Sequence, residues 1–525
     1  MSSFRLAPLP IRSLVFQHGV MLIAFLIACS TINPCLAQDL KQLDAYYTKS
    51  LKEWDVPGMS IAIVKDGKVI FSKGYGIAEV GKNVPTNSNT LYAIASNSKA
   101  FTATAIAMMA KEGKLSLDDK VRKHLPWFEL YDPFVSADAT ITDLLCHRIG
   151  FRTFGGDAIW YLSDDLSAEQ IVRRARYLQP SYPFRAGYGY SNVMYITAGE
   201  VMRAVTGKPW GDIIQERIFN KLGMDRSVPS GKYIEAKGNF ATPHALVDGK
   251  HVPIEWENWD TIAAMGGIVS SVEDMAKWMI FNLNNGVWKG DTLLTVALRN
   301  KLWTPHNSFT VDNTDDKFDT HFAGYGLGWS LTDYKGKMRV GHTGGYSGML
   351  SLVTMIPDEK LGVVILTNGM KGGLMRAVGD YTVDAFLKQK MRDYSSEYLA
   401  DAKRRTAADT RISDREKAMI TGTKPSVPVE KYAGVYHADI YGKIEVKKEG
   451  DKLRLYFEHS KRFNATLEHW HYDVWRIKWD NAEQLSWFNF GTVAFKLDNN
   501  LVVKEMEFDV PNDDIWFEEL IAVKE

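Results

Sequence analysis

Three short stretches carry side chains whose types and spacing suit acyl transfer: Ser96-Asn97-Ser98-Lys99, Tyr190-Ser191-Asn192 and His342-Thr343-Gly344-Gly345. A serine hydroxyl is a poor nucleophile at neutral pH and needs a base beside it. Lys99 lies three residues after Ser96, which on a helix puts its amine on the same face, one turn deeper. Burial there would depress the amine pKa and let it share a proton with Ser96. Tyr190 can act as general acid or base if Lys99 biases its phenol toward the ionised form. Asn192 offers a donor and an acceptor to a substrate amide. The Gly344-Gly345 pair permits close backbone approach, so the Gly345 N–H can join that of Ser96 against an oxyanion.

Taken singly, each residue has a plainer role. Ser96 reads as a helix N-cap, Lys99 as part of a solvated helix face, Tyr190 as a packed aromatic and His342 as a strand-end histidine. A Ser-x-x-Lys also arises by chance about twice in a chain this long. Order and framing outweigh these readings. The serine opens an apolar-periodic helix, the tyrosine sits in a Gly-rich loop after Phe184, and His-Thr-Gly closes a strand. No His, Cys or carboxylate cluster has zinc spacing, so neither a metal nor an organic cofactor is expected.

The elements that must position these residues are legible as patterns. Gly58 to Ala78 alternates as a hairpin around Asp66-Gly67. Ala95 to Gly113 has a helical apolar period, with Gly113 placed to stop it. Helical patterns follow at Ala168 to Ala175, Tyr195 to Thr206 and Val272 to Asn282, and strand patterns at Tyr325 to Ser330, Met338 to His342, Met349 to Met355 and Gly362 to Thr367. Strands from both ends of a segment with helices between them predict an α+β fold, a mixed α/β sandwich in which an antiparallel sheet is flanked by helices and joined by a helical region. Residues 388–428 are charged and helical, ending in a Pro-rich linker. Residues 429–525 alternate in polarity and predict a smaller antiparallel β-barrel domain.

At 525 residues the chain exceeds what one core usually serves. Lys plus Arg and Asp plus Glu are 63 each, so no bulk field steers it toward nucleic acid. Arg5 and Arg12 precede an apolar run from Val20 to Ala28, which reads as a signal peptide over residues 1–37 with cleavage after Ala37 and Pro34 stopping its helix. Leu26-Ile27-Ala28-Cys29 resembles a lipoprotein box, which leaves a lipid anchor on Cys29 as the alternative. Either predicts export to the periplasm or medium. Cys146, between apolar neighbours, reads as a buried structural thiol.

With these motifs in order, the chain resembles the serine β-lactamase and penicillin-binding superfamily, nearest to class C β-lactamases and their carboxypeptidase, D-aminopeptidase and esterase relatives. Leu144-Leu145-Cys146-His147-Arg148-Ile149-Gly150 is similar to the family's LLTHTSG segment, Gly266-Gly267-Ile268-Val269-Ser270-Ser271 to its GGL-x-S-T segment, and Tyr325-Gly326-Leu327-Gly328-Trp329 to its YGLGW strand. The resemblance runs from about Asp39 to Leu387. It implies acylation of Ser96, proton transfer by Lys99 and Tyr190, and substrate positioning by Asn192. From the third motif it adds His342 to the catalytic set and Thr343, Gly344 and Gly345 to substrate binding. The departure is His342, where class C enzymes carry lysine: a mostly neutral imidazole recognises a substrate carboxylate less well and lowers the β-lactamase expectation. The resemblance implies a peptide, amide or ester substrate for a hydrolase domain over residues 38–387, with a β-lactamase, a penicillin sensor or an inactive relative as alternatives. The tail from Tyr432-Ala433-Gly434-Val435-Tyr436 resembles the lipocalin-like domain attached to some of these hydrolases.

Overall fold

The structure, a computed structural model, describes residues 34–311, 317–481 and 486–525. Cys29 and the apolar run before it lie outside the described residues. The described chain starts in a helix, α1 (Pro34–Trp54); the helix that Pro34 is expected to stop lies outside the described residues.

The central sheet begins with the expected hairpin, β1 (Gly58–Lys65) and β2 (Lys68–Gly76). Asp66 and Gly67 turn it with φ of +51° and +74°, the conformation a two-residue hairpin needs. Six later strands complete it: β3 (Asn307–Phe309), β4 (Ala323–Tyr325), β5 (Ser330–Tyr334), β6 (Lys337–Tyr346), β7 (Met349–Ile356) and β8 (Leu361–Thr367). Their order is β2-β1-β8-β7-β6-β5-β4-β3, and every neighbouring pair is antiparallel.

Every residue of β8 is buried because helices cover both faces of the sheet. On one face α5 (Val272–Leu283) lies so close that a β-carbon on Gly362 would come within 2.9 Å of the Met279 sulfur. On the other, α6 (Gly372–Phe386) brings Gly379 against Leu352 and Ile365. Before α5 in sequence come α2 (Ser98–Lys111), α3 (Asp157–Tyr161) and α4 (Asn192–Thr206). Helix α2 is buried from Ser98 through Met109, so it is enclosed on all sides rather than along one stripe. Its Phe101 stacks on Trp278 of α5 at 3.9 Å, and Trp278 lies parallel to Trp329 at 6.2 Å. Each buried ring contributes roughly 1.5–3 kcal/mol by leaving water, so this stack anchors α2 more strongly than any single polar contact on it.

One expected strand is absent. Only the ends of the Tyr325 to Ser330 stretch are in strands, Tyr325 closing β4 and Ser330 opening β5, and residues 326–329 form the bend between them. Gly328 has φ +78°, and a β-carbon there would sit 2.9 Å from the Lys99 carbonyl. The glycines that looked like strand residues let the backbone press against α2.

After α6 come α7 (Tyr394–Ala408) and α8 (Arg411–Lys417). The C-terminal strands then close on themselves: β9 (Gly434–Ala438), β10 (Gly442–Glu449), β11 (Lys452–Phe457), β12 (Asn464–His471), β13 (Val474–Trp479), β14 (Thr492–Leu497), β15 (Val503–Asp509) and β16 (Ala522–Lys524). Consecutive strands pair antiparallel and β16 returns to β9, so the barrel presents no free edge. The molecule is therefore a mixed α/β sandwich followed by a closed eight-stranded barrel.

Candidate active site

Ser96 lies in a 3₁₀ turn, Ala95–Asn97, that runs directly into α2. The preceding Ala95 has φ +49°, a left-handed conformation that is costly for alanine and turns Ser96 out of the core. One turn on, Lys99 is fully buried. Its Nζ donates to Ser96 Oγ at 3.1 Å, to Asn192 Oδ1 at 2.7 Å and to the Met265 carbonyl at 2.8 Å. Burial pulls the amine down to about 7, against the opposing pull of Asp157. A buried amine near neutrality can take a proton from an adjacent hydroxyl.

Tyr190 reaches the same point from a loop laced to the segment before α3. Gly189 donates its N–H to the His147 carbonyl at 3.0 Å, and Phe154 donates to the Tyr190 carbonyl at 2.7 Å. A β-carbon on Gly189 would collide with the Phe151 carbonyl, so only glycine fits. Tyr190 lines the same cavity as Ser96, and its ring centre lies 4.9 Å from Lys99 Nζ. Burial drives the phenol pKa well above its ordinary value. Tyr190 is thus a neutral phenol at rest, not the ionised group its neighbour Lys99 suggested, while the amine, at about 7, is divided between its protonated and free-base forms near neutral pH.

Asn192, the first residue of α4, joins Lys99 to a residue that sequence reasoning missed. Its Nδ2 donates to Asp157 Oδ2 at 2.6 Å, and Trp160 Nε1 donates to the other oxygen at 2.9 Å. Asp157 is buried, which lifts its carboxyl to about 8. Nothing in the type or spacing of Asp157 links it to Asn192; only Gly155-Gly156 before it marks a turn, with Gly156 at φ +80°.

The third motif forms the facing wall. His342 is buried on β6, and burial followed by Lys99 lowers it to about 4, so it is neutral at pH 7. Its Nδ1 faces the Thr343 carbonyl at 2.5 Å and must carry the proton, which leaves Nε2 to accept from the Tyr325 hydroxyl at 2.9 Å. Tyr325 belongs to a phrase noticed in the sequence without any role attached. Thr343 and Gly345 are exposed to the cleft. A β-carbon on Gly344 would lie 2.1 Å from the Ile94 carbonyl and 2.8 Å from the Ser96 nitrogen, which is why β6 can run so close to the serine.

Behind Tyr190, His147 packs with ring centres 4.4 Å apart, and its Nδ1 accepts the Ser191 N–H at 3.0 Å. Cys146 is a buried free thiol pushed up to about 12 by burial, so it is not a nucleophile at neutral pH.

Ser96, Tyr190, Asn192, His342, Thr343 and Gly345 line one cavity of about 440 Å³. Aromatic side chains dominate the rest of its wall, and Trp487, Asp514 and Ile515 reach it from the barrel. The two parts are tied by Arg152, whose guanidinium lies over Trp516 at 4.4 Å and pairs with Glu518 at 3.0 Å and Glu519 at 3.1 Å. Glu519 also accepts the Gly156 N–H at 2.9 Å, one residue before Asp157.

Residues 43–387 match the Beta-lactamase family, and residues 418–520 match a domain of unknown function, DUF3471. The chain is 29% identical over 431 residues to the Unguisins hydrolase ungD' of Aspergillus campestris, covering 78% of each protein. It is 29% identical over 339 residues to Protein flp of Staphylococcus aureus, covering 62% of this chain and 63% of that one. Its fold is similar to that of an octameric penicillin-binding protein homologue from Pyrococcus abyssi, with TM-score 0.60 at 24% identity over 93% of this chain and 100% of that one. A class C beta lactamase from Rhodobacter sphaeroides gives TM-score 0.53 at 20% identity over 66% and 98%. The chain belongs to the Beta-lactamase family, within the serine β-lactamase and penicillin-binding superfamily, and is a hydrolase of that family with a closed C-terminal barrel.

Proposed function

We propose that the protein is an exported serine hydrolase that forms an acyl-enzyme at Ser96 and hydrolyses peptide, amide or ester bonds. The observation that carries this is the 3.1 Å contact between Ser96 Oγ and the Nζ of a buried Lys99 with a pKa of about 7. Neutral Lys99 takes the Ser96 proton as Oγ attacks the substrate carbonyl. The backbone N–H groups of Ser96 and Gly345 receive the developing oxyanion. Tyr190, a neutral phenol lining the same cavity as Ser96, hands a proton to the leaving group, and water then releases the acyl group with the roles reversed. Asn192 holds the amine in place through its amide oxygen.

A class C-type β-lactamase, or a penicillin sensor that acylates with little turnover, is the second reading. His342 weighs against efficient β-lactam turnover, because a neutral imidazole stands where a substrate carboxylate would need a cation. Intact-mass labelling with a fluorophosphonate tests the leading reading. The expected result is one adduct on the wild type and none on Ser96→Ala; an adduct on both moves the nucleophile elsewhere. Nitrocefin turnover separates the second reading, and N-terminal sequencing of the exported chain tests cleavage after Ala37 against acylation of Cys29.

A further inference from the structure

Two groups of rings line the cavity. One surrounds Tyr190: Phe154 lies 5.6 Å from it and Tyr325 6.3 Å, with Tyr188 a further 5.6 Å from Tyr325. The other is built on Trp259, which lies 5.7 Å from Trp160 and 4.6 Å from Tyr346. Trp259 comes close to the nucleophile across Gly266, where a β-carbon would sit 2.8 Å from its ring and 3.4 Å from the Ala95 carbonyl carbon. Tyr346 follows Gly345 directly, on the same wall. Both rings are buried, and Glu257 holds both. Its carboxylate accepts from Trp259 Nε1 at 2.6 Å, from Ser347 Oγ at 2.9 Å and from Arg462 at 2.7 Å, while its carbonyl accepts from the Tyr346 hydroxyl at 3.0 Å. Each ring is therefore fixed at one angle before any substrate arrives.

The two groups meet different parts of a substrate. In the proposed reaction Tyr190 protonates the leaving group, which therefore lies among the rings around Tyr190. The acyl chain diverges from the leaving group at the carbonyl carbon and runs toward Trp259 and Tyr346. Fixed aromatic faces fit an aryl group, which gains apolar burial and an offset or edge-to-face contact beyond its area. Among the described residues, no lysine or arginine lines the cavity, and its histidine, His342, is neutral. A carboxylate on the acyl chain would lose its water without gaining a cation.

We propose that Trp259 and Tyr346 form an acyl-group pocket that selects substrates with an uncharged, aryl-bearing acyl chain, and that Trp259 is its specificity-determining residue. The link to turnover rests on the reading of Ser96 as the acylated residue; binding is separable from it. The p-nitrophenyl esters of acetic, hydrocinnamic and p-carboxyhydrocinnamic acid share a leaving group and differ in the acyl chain alone. With each rate divided by that ester's hydroxide rate, wild-type kcat/KM for the hydrocinnamoyl ester is expected to exceed that for acetyl by about tenfold or more. The carboxylated ester is expected to fall back to within about threefold of acetyl. Trp259→Gln should lose the hydrocinnamoyl advantage and Trp259→Phe should keep most of it. Equal acetyl and hydrocinnamoyl rates on the wild type overturn the proposal whether or not the variants fold. So does an advantage that Trp259→Gln or the carboxylated ester retains. Calorimetric titration of hydrocinnamamide and propionamide on Ser96→Ala keeps the two readings apart. Tighter binding of the aryl amide without a fluorophosphonate adduct on the wild type removes the acyl-enzyme reading and leaves the pocket standing, whereas equal binding removes the pocket.

Discussion

Asp157 and Asn192 form a buried pair 2.6 Å apart, and the same Asn192 amide accepts from Lys99 through its other end. A side-chain amide can face either way, so its orientation has to be imposed. Asp157 imposes it, because both its oxygens accept, one from Asn192 and one from Trp160.

Asp157→Asn therefore turns one acceptor into a donor that opposes either the Trp160 indole or the Asn192 amide. Loss of the aligned amide is expected to lower kcat/KM by about tenfold to a hundredfold. With its carboxyl lifted to about 8, Asp157 carries little charge on the acid limb, so the limb set by Lys99 is expected to stay near 7. A pH series on wild type and variant reads both rate and limb; a full rate would show that Asp157 only fills space.

The pH dependence itself has a definite sign. Lys99 acts when neutral, so below its pKa of about 7 the acylation rate should fall by about tenfold per pH unit and above it level off. Lys99→Arg places a permanently protonated group there, and fluorophosphonate labelling is expected to slow by about 10² or more at all pH values.

His342→Lys would put an ammonium where a neutral imidazole now meets Tyr325. Acylation by carboxylate-bearing β-lactams should rise relative to a neutral ester by about tenfold, the size of one charge-assisted hydrogen bond. Nitrocefin and p-nitrophenyl acetate rates on both proteins give the ratio.

Arg152→Ala removes the group that ties Glu518, Glu519 and Trp516 to the segment before α3. These contacts are partly exposed, so global unfolding should shift little. Hydrogen exchange is expected to rise around residues 152–157 and 514–519, with KM increasing about two- to fivefold. Protection equal to wild type in both segments would show that other contacts hold the barrel in place.

What the chain spelled out locally was legible before any coordinates. The Asp66-Gly67 turn, the α2 period and the alternation of the C-terminal strands each follow from a few adjacent residues. Ser96 and Lys99 share a helix turn, so their proximity was readable from spacing. Asp157 and Tyr325 were not, because their partners Asn192 and His342 lie 35 and 17 residues away and their own neighbours carry no signal for the contact. The Gly326 to Gly328 stretch misled for a related reason: alternation predicts a strand, but a positive φ is a backbone demand that a hydrophobicity pattern does not register.

The cavity draws its walls from stretches separated by more than 400 positions, Ser96 near one end and Ile515 near the other. During synthesis the nucleophile and its base emerge and can fold long before the barrel exists, so the pocket stays open to bulky molecules until the last strand closes. A chain ending near residue 420 would keep Ser96 and Lys99 but lose Trp487, Asp514 and Ile515 from the cavity wall.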